Sequence, residues 1–224
     1  MSVEVSISGV FPTERLASVQ NRLAAFVDTS CAVAVDESTY SRPQAQAGTG
    51  TGTGSSAGES QRVRVKQVRT RGTAVSSPAQ WTIQVEQPPE ARRTAPRALQ
   101  FGVTEFAVEA GHDPRQLVSA LGFEQRMFSA RKTGWLYRRG NVQILVYQLS
   151  EGDDGPLLDP RNCVVDVHTR YSPGGTSRPV AGEQGQARPE AGGKGAQDRR
   201  EDALASLEEV AAHLKGLVDL ARVD

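Results

Sequence analysis

Three histidines and two cysteines are the side chains of this chain best suited to chemistry, and their spacing does not favour it. His112, His168 and His213 lie far apart in different contexts. Neither they nor Cys31 and Cys163 fall at the spacings of a metal-ligand set. Asp166 and His168 stand two residues apart on one face of a strand, and a carboxylate–histidine pair can do acid–base work. The opposite face carries Cys163, Val165 and Val167. That alternation predicts an apolar inner face, with Asp166 and His168 as an exposed polar one. The glycines of residues 48–58 neither follow a strand nor open a capped helix, so they form no phosphate cradle. Gly152-Asp153-Asp154-Gly155 lacks the alternating oxygen donors and terminal glutamate of a calcium loop, and reads as an acidic surface turn.

The elements that would position these residues are strands. Val3, Val5 and Ile7 alternate with Glu4, Ser6 and Ser8. Similar alternation recurs around Cys31–Val33–Val35, Val63–Val65, Trp81–Ile83–Val85, Leu99–Phe101–Val103 and Cys163–Val165–Val167, the period of half-buried strands. Phe106 and Val108 break the phase of the strand before them, which predicts a bulge or a change of face. Helical periodicity appears at Leu16, Val19, Leu23 and Phe26, with Thr13 as an expected N-cap. Asp113-Pro114 opens a short helix that Gly122 can close. From about Asp202 a third helix shows a stripe of Leu204, Leu207, Val210 or Ala211, Leu214 and Leu217.

The densest apolar content lies in residues 134–149, GWLYRRGNVQILVYQL, with Lys132-Thr133-Gly134 read as a turn leading into it. Gly140-Asn141 is a two-residue hairpin loop, both residues tolerating positive φ. It sets Tyr137 opposite Ile144 and Trp135 opposite Val146, and places Trp135, Tyr137, Val142, Ile144 and Val146 on one buried face. Leu136, Leu145, Tyr147 and Leu149 fall on the other face, near Arg138 and Gln143. Leu145, Tyr147 and Leu149 are therefore expected beneath a helix or at a partner surface.

About eight strands without a βαβ period argue for a closed or nearly closed eight-stranded antiparallel β-barrel, an α+β fold that is mainly β. Helices near both ends of the chain flank it. Residues 41–60, 87–97 and 172–200 are rich in Gly, Pro, Ser, Arg and other polar residues, and cannot offset the entropy of ordering. They read as insertions within a single domain spanning residues 1–224. With 26 basic and 26 acidic residues the formal net charge is zero, so no global field draws nucleic acid or membrane. Arg62, Arg64, Lys66, Arg69 and Arg71 form a local basic run, expected to be a solvated strand edge. Cys31 and Cys163, each in phase with valines, are expected as buried free thiols of a reducing compartment, with a bridge between them left open. No apolar run reaches the roughly 18 residues of a membrane span, and the start reads as a strand rather than a leader, so a soluble intracellular protein is expected.

Some barrels of this architecture are enzymes that hold a triphosphate in a tunnel lined by glutamates and basic residues. Here the first strand offers Glu4, Ser6 and Ser8, with only a single glutamate. A polar tunnel would further need Thr82, Gln84, Glu86, Val164, Asp166 and His168 to point inward, and that set is no convincing charged lining. No catalytic, metal-binding or cofactor-binding residue is expected.

A family resemblance points elsewhere. Leu121-Gly122-Phe123, the strand after it, Gly134 with Leu136-Tyr137-Arg138-Arg139-Gly140, and then Val142, Ile144, Val146 and Tyr147 resemble the subunit 18 family of the Mediator of RNA polymerase II transcription. Residues 162–167 and the C-terminal Leu217-Val218-Asp219-Leu220 continue it, so that about half of the chain is covered. The Gly-Thr run and residues 172–200 lie outside the family's core. The resemblance implies a non-enzymatic nuclear coactivator subunit in the Mediator head module. It further implies contacts with subunit 20, a related barrel, and with a C-terminal helix of subunit 8. RNA polymerase II is a further candidate partner; membrane and sequence-specific nucleic-acid contacts are not expected. The alternatives are a triphosphate-tunnel hydrolase or cyclase, and a nucleic-acid-binding barrel using residues 62–71. The latter lacks interleaved aromatics for base stacking.

Overall fold

Alternation of period two becomes eight strands: β1 (Ser2–Pro12), β2 (Thr29–Ser41), β3 (Arg62–Arg71), β4 (Gln80–Glu86), β5 (Leu99–Val108), β6 (Gln125–Arg139), β7 (Val142–Ser150) and β8 (Asn162–Tyr171). They close in the order β1-β5-β4-β3-β2-β6-β7-β8, with every pair antiparallel, so that no strand is left as an edge. This computed structural model describes residues 1–42, 61–71, 80–109, 111–152, 155–173 and 195–223. Most of the insertions at 41–60 and 172–200 therefore lie outside the described residues.

The main apolar core lies outside the barrel wall. Val5, Ile7, Ile144, Val146, Val165 and Val167 point outward and are covered by α1 (Leu16–Ala24) and α3 (Ala196–Leu214). Val19 and Leu23 of α1 and Leu204, Leu207, Val210 and Leu214 of α3 fill the gap. A second core under α2 (Pro114–Ala120) joins Val118 and Phe123 to Val63, Val65 and Ile83. This cover explains the phase change in β5. That strand runs without a register break. Phe106 and Val108 face outward toward the α2 cluster, whereas Leu99 and Phe101 face the barrel interior.

The hairpin forms in the expected register, Tyr137 opposite Ile144 and Trp135 opposite Val146, around a Gly140-Asn141 loop. Positive φ is confined to Gly140, so the loop has the II′ rather than the I′ pattern, and the Gly140 amide donates to Asp28 Oδ2 at 2.8 Å. Arg139 ties this end together. It donates to the Phe26 carbonyl at 2.8 Å and to Glu209 Oε1 at 2.6 Å, and its guanidinium stacks on the Phe26 ring, which stacks in turn on His213.

Several expectations are corrected. Trp135 is 42% exposed, because α1 and α3 reach only part of the hairpin's outer face. Lys132-Thr133-Gly134 is no turn but the middle of one long β6. Gly134 sits so close to the Val146 carbonyl of β7 that a Cβ would overlap it. Thr13 begins a 3-10 turn and caps no helix; its hydroxyl donates to the Pro160 carbonyl at 3.2 Å. Asp113 does cap α2, accepting from the Arg115 amide at 2.9 Å, and Gly122 follows that helix at φ 83°. The α3 helix starts at Ala196, earlier than its apolar stripe indicates, and stops at Leu214. Beyond it the chain passes Gly216 and pairs Ala221 with Ser8. Residues 87–97 are held in place despite their composition. Arg222 donates to the Ala95 and Glu90 carbonyls, Arg200 pairs with Glu90, and Arg97 pairs with Glu208. Charges that look like insertion chemistry in one dimension find partners on the C-terminal segment. Both cysteines are free thiols; Cys163 is buried and Cys31 half-buried.

Candidate functional site

The strand faces opposite the outer core enclose a polar lumen of about 440 Å³. Each strand adds alternate residues to it: Glu4, Ser6 and Ser8 from β1, Glu37 from β2, Arg64 and Lys66 from β3, Thr82 and Gln84 from β4. Glu105, Lys132 and then Asp166, His168 and Arg170 come from β5, β6 and β8. Asp166 and His168 are thus interior residues, and the expectation of an exposed polar face is corrected. Closure of the barrel leaves one side of every strand facing inward. In β8 the side covered by α3 is the valine side, so the polar side takes the lumen.

The basic run is corrected on the same ground. Arg64 and Lys66 point inward rather than along a free edge, because the intervening Val63 and Val65 are taken by the α2 core. Arg69 lies on the outer side, 3.0 Å from Asp36, which also receives Arg131 at 2.7 Å.

Ion pairs run along the lumen wall between neighbouring strands. Glu37 lies 3.2 Å from Lys132 Nζ and 3.3 Å from Arg64 Nε, and Arg64 reaches Glu86 at 3.0 Å. Arg170 bridges Glu4 and Glu105, at 2.7 Å from each. Gln84 donates to Glu105. Tyr147 donates to Asp166 Oδ2 at 2.7 Å.

These neighbours tune one another. Burial alone would raise the Glu37 carboxyl, but Lys132, Arg64 and Lys66 outweigh it and bring the group down to about 2. Glu4 also ends lowered: burial opposes this, and His168, Lys66 and Arg170 overcome it. Glu86 is raised by burial, which Arg64 and Lys66 only partly offset. Burial lowers both Lys66 and His168. Arg64 depresses Lys66 further while Glu37 and Glu4 pull the other way; for His168, Glu4 is the main opposing charge.

The remaining residues singled out from sequence are dispersed. His112 is exposed in a loop, and His213 is stacked on Phe26. Leu145 lines the lumen, and Tyr147 and Leu149 share its strand face; Tyr147 is 6% exposed. No helix covers that face. Its cover is the far wall of the barrel. Among the described residues, no three His, Cys, Asp or Glu side chains are grouped to hold a metal. No helix of the described residues is long and apolar enough to cross a membrane.

Sequence reasoning missed Glu37, Arg64, Lys66, Lys132 and Arg170 as a set. Arg64, Lys66 and Arg170 lie in phase with the polar side of their own strands, but Glu37 follows Val33 and Val35 on the apolar side of β2 and Lys132 shares its face with Leu136, so the signal was only partly present strand by strand. It becomes a site only after eight strands are placed around one axis.

The fold is shared with solved structures. One is a chain in the structure of the Schizosaccharomyces pombe Mediator head module, at 16% identity and a TM-score of 0.62, covering 99% of this chain and 98% of that one. Another is the PH1819 protein of Pyrococcus horikoshii OT3, at 15% identity and a TM-score of 0.54, covering 99% and 94%. At such identities the likeness is one of fold. No family model matches the sequence, and no curated protein matches it.

Proposed function

We propose that this chain is a structural subunit of the Mediator head module, supporting transcription by RNA polymerase II in the nucleus through protein–protein contacts and not through catalysis. The supporting observation is an end-to-end correspondence with a chain of the S. pombe head module, at a TM-score of 0.62. It coincides with the residue pattern of 121–149 that resembles the subunit 18 family. The glycines of that pattern sit where the backbone calls for them: Gly140 in the hairpin loop and Gly134 against β7.

Subunit 20 and the C-terminal helix of subunit 8 are the proposed partners. Contact through Leu145, Tyr147 and Leu149 requires a partner segment that enters the lumen. Met127, Phe128 and Trp135, exposed on β6, offer a folded partner easier access. Affinity purification of the full chain from its own nucleus, followed by identification of stoichiometric companions, tests the reading. Other head subunits are expected; their absence under conditions that keep the complex intact would overturn it.

The charged lumen favours a second reading, a triphosphate hydrolase or cyclase acting inside the barrel. Against it, Glu4, Glu37 and Glu105 are each engaged by Arg170, Arg64 or Lys132, which leaves few free carboxylates to bind a metal–triphosphate. Metal-dependent turnover of a triphosphate by purified protein, lost in Glu4→Ala, would establish the enzyme instead.

A further inference from the structure

Barrel closure pairs every strand on both sides, but not every residue. β7 ends at Ser150, opposite Arg131, whereas β6 extends beyond that point to Gln125. Residues 125–130 pair with β2 alone. Among the described residues, no backbone hydrogen bond reaches their other edge. Alternate residues of this stretch therefore hold N–H and C=O groups toward the place where β7 would continue. The side chains are open as well: Gln125 to Ser129 are all exposed, Met127 at 61% and Phe128 at 45%.

Folds guard such edges with charge and with bulges, and both occur here. Thr39 pairs with Phe128 and Tyr40 with Arg126, which leaves Met127 as a bulge beside an exposed arginine. A protected edge has no need, however, of two large apolar side chains exposed next to each other. Charge then selects the occupant. Ser41 pairs with Gln125 on one side and Arg62 on the other, so Arg42, Arg62 and Arg126 gather at this end of the barrel. All three are exposed, and among the described residues none has a carboxylate partner. Arg42 lies over the Phe123 ring, and Glu86, opposite Arg62, is turned to Arg64. Glu124 is the acid beside them in sequence, so the edge remains net positive. A second copy of this chain would bring the same arginines to the same edge and be repelled. A strand that carries acids would not.

We infer that residues 125–130 of β6 are a docking edge for an extended segment of another protein, one that alternates apolar and acidic residues. The segment adds a strand beside β6 where β7 stops. Main-chain hydrogen bonds hold it, its apolar side chains cover Met127 and Phe128, and its acids meet Arg126 and the neighbouring arginines. The inference does not rest on the Mediator reading, because the open edge belongs to the fold of this chain. Purification without head subunits would leave it standing.

The test is an NMR titration of the isotope-labelled full chain with three blocked synthetic peptides of about eight residues, long enough to form one strand. One alternates valine and glutamate, one alternates valine and lysine, and the third is the glutamate peptide methylated at every backbone nitrogen. Saturable one-to-one binding of the glutamate peptide is expected, with amide shifts centred on Gln125 to Ala130. The lysine peptide should bind about tenfold more weakly or worse, and so should the methylated one, which cannot donate to the ladder. Arg126→Glu should weaken the glutamate peptide by about fivefold. Trp135→Ala, on the outer wall beyond the edge, should leave it unchanged. No saturable binding, equal binding of the methylated peptide, or shifts centred elsewhere would overturn the edge. Equal binding of the lysine peptide would overturn the acidic partner, and a dimer formed through β6 without peptide would replace it with a second copy. The methylated peptide needs no variant, and circular dichroism of Arg126→Glu separates loss of the site from loss of the fold.

Discussion

Glu37 of β2 and Lys132 of β6 meet inside the barrel, Oε2 to Nζ at 3.2 Å, although each belongs to a strand that also helps carry the outer surface. The pair spans neighbouring strands one diagonal apart, since the direct cross-strand partner of Lys132 is Val35. Glu37 is almost wholly buried and shares its charge with Arg64 as well. Replacing Lys132 with Met should therefore cost less than orphaning a buried charge outright: about 1–3 kcal/mol rather than the 3–5 of an unshared pair. Urea unfolding of Lys132→Met, Glu37→Gln and the double variant measures the coupling. Strict additivity would mean that the pair does not interact.

Acid should destabilise the fold through the same carboxylate. The folded-state value of Glu37 is lowered from 4.5 to about 2, so its stabilisation is fully present above the unfolded value and is lost as pH falls through the folded one. The shift corresponds to roughly 3 kcal/mol. His168, also lowered, adds an acid-side loss that begins below its ordinary value of 6.5, because the unfolded imidazole takes a proton more readily. Denaturant midpoints followed from pH 5 to 2.5 should fall less steeply in Glu37→Gln than in the parent. Parallel slopes would remove Glu37 from the account.

The two faces of the central hairpin should respond differently to truncation. Ile144 is fully buried under the helices, and Ile144→Ala should cost about 2–5 kcal/mol through the cavity it leaves. Leu145 faces space in the lumen, and Leu145→Ala should cost under about 1.5 kcal/mol, since few packed neighbours are lost. Chemical denaturation distinguishes the two, and a reversed order would place the core inside the barrel.

Gly134 should tolerate no side chain. A Cβ there would overlap the Val146 carbonyl, a backbone atom that cannot swing aside. Gly134→Val is expected to lose about 3 kcal/mol or more, or to fail to fold. A melting temperature close to that of the parent would show that β6 and β7 can separate locally.

Removal of α3 should leave the barrel wall without its cover. Leu207 and Leu214 are buried against strands whose outward residues include Val165 and Val167. Leu207→Asp, or a chain ending at residue 194, should bind a hydrophobic dye strongly and associate in solution. A monomeric, dye-silent product would mean that the outer face needs no helix.

Much of this fold is legible in one dimension because it rests on local periodicity. Alternation located the strands, Gly140-Asn141 set the hairpin, and Asp113-Pro114 with Gly122 bounded α2. The errors share a cause. Lys132-Thr133-Gly134 resembled a turn because a charged residue and a glycine usually mark one. Here the lysine is drawn inward by Glu37, and the glycine admits β7. Residues 87–97 resembled an unpacked insertion because their partners, Arg200, Arg222 and Glu208, lie more than 100 positions away in the chain.

By itself the sequence determined which residues share a face, that the strands pair antiparallel, and that their number suits a closed barrel. Only the tertiary structure decided which face is inside. A period of two sorts residues into two sets without saying which way the sheet curls. The usual rule that the apolar set goes inward fails for β1, β3 and β8, because helices cover their outer side and the apolar set became the layer beneath them. In β2 and β5 it holds, and Val33, Val35, Leu99 and Phe101 face the lumen beside the charges. Glu37, Lys66, Lys132 and His168 belong to four strands and have no local relation to one another. Barrel closure alone makes them neighbours.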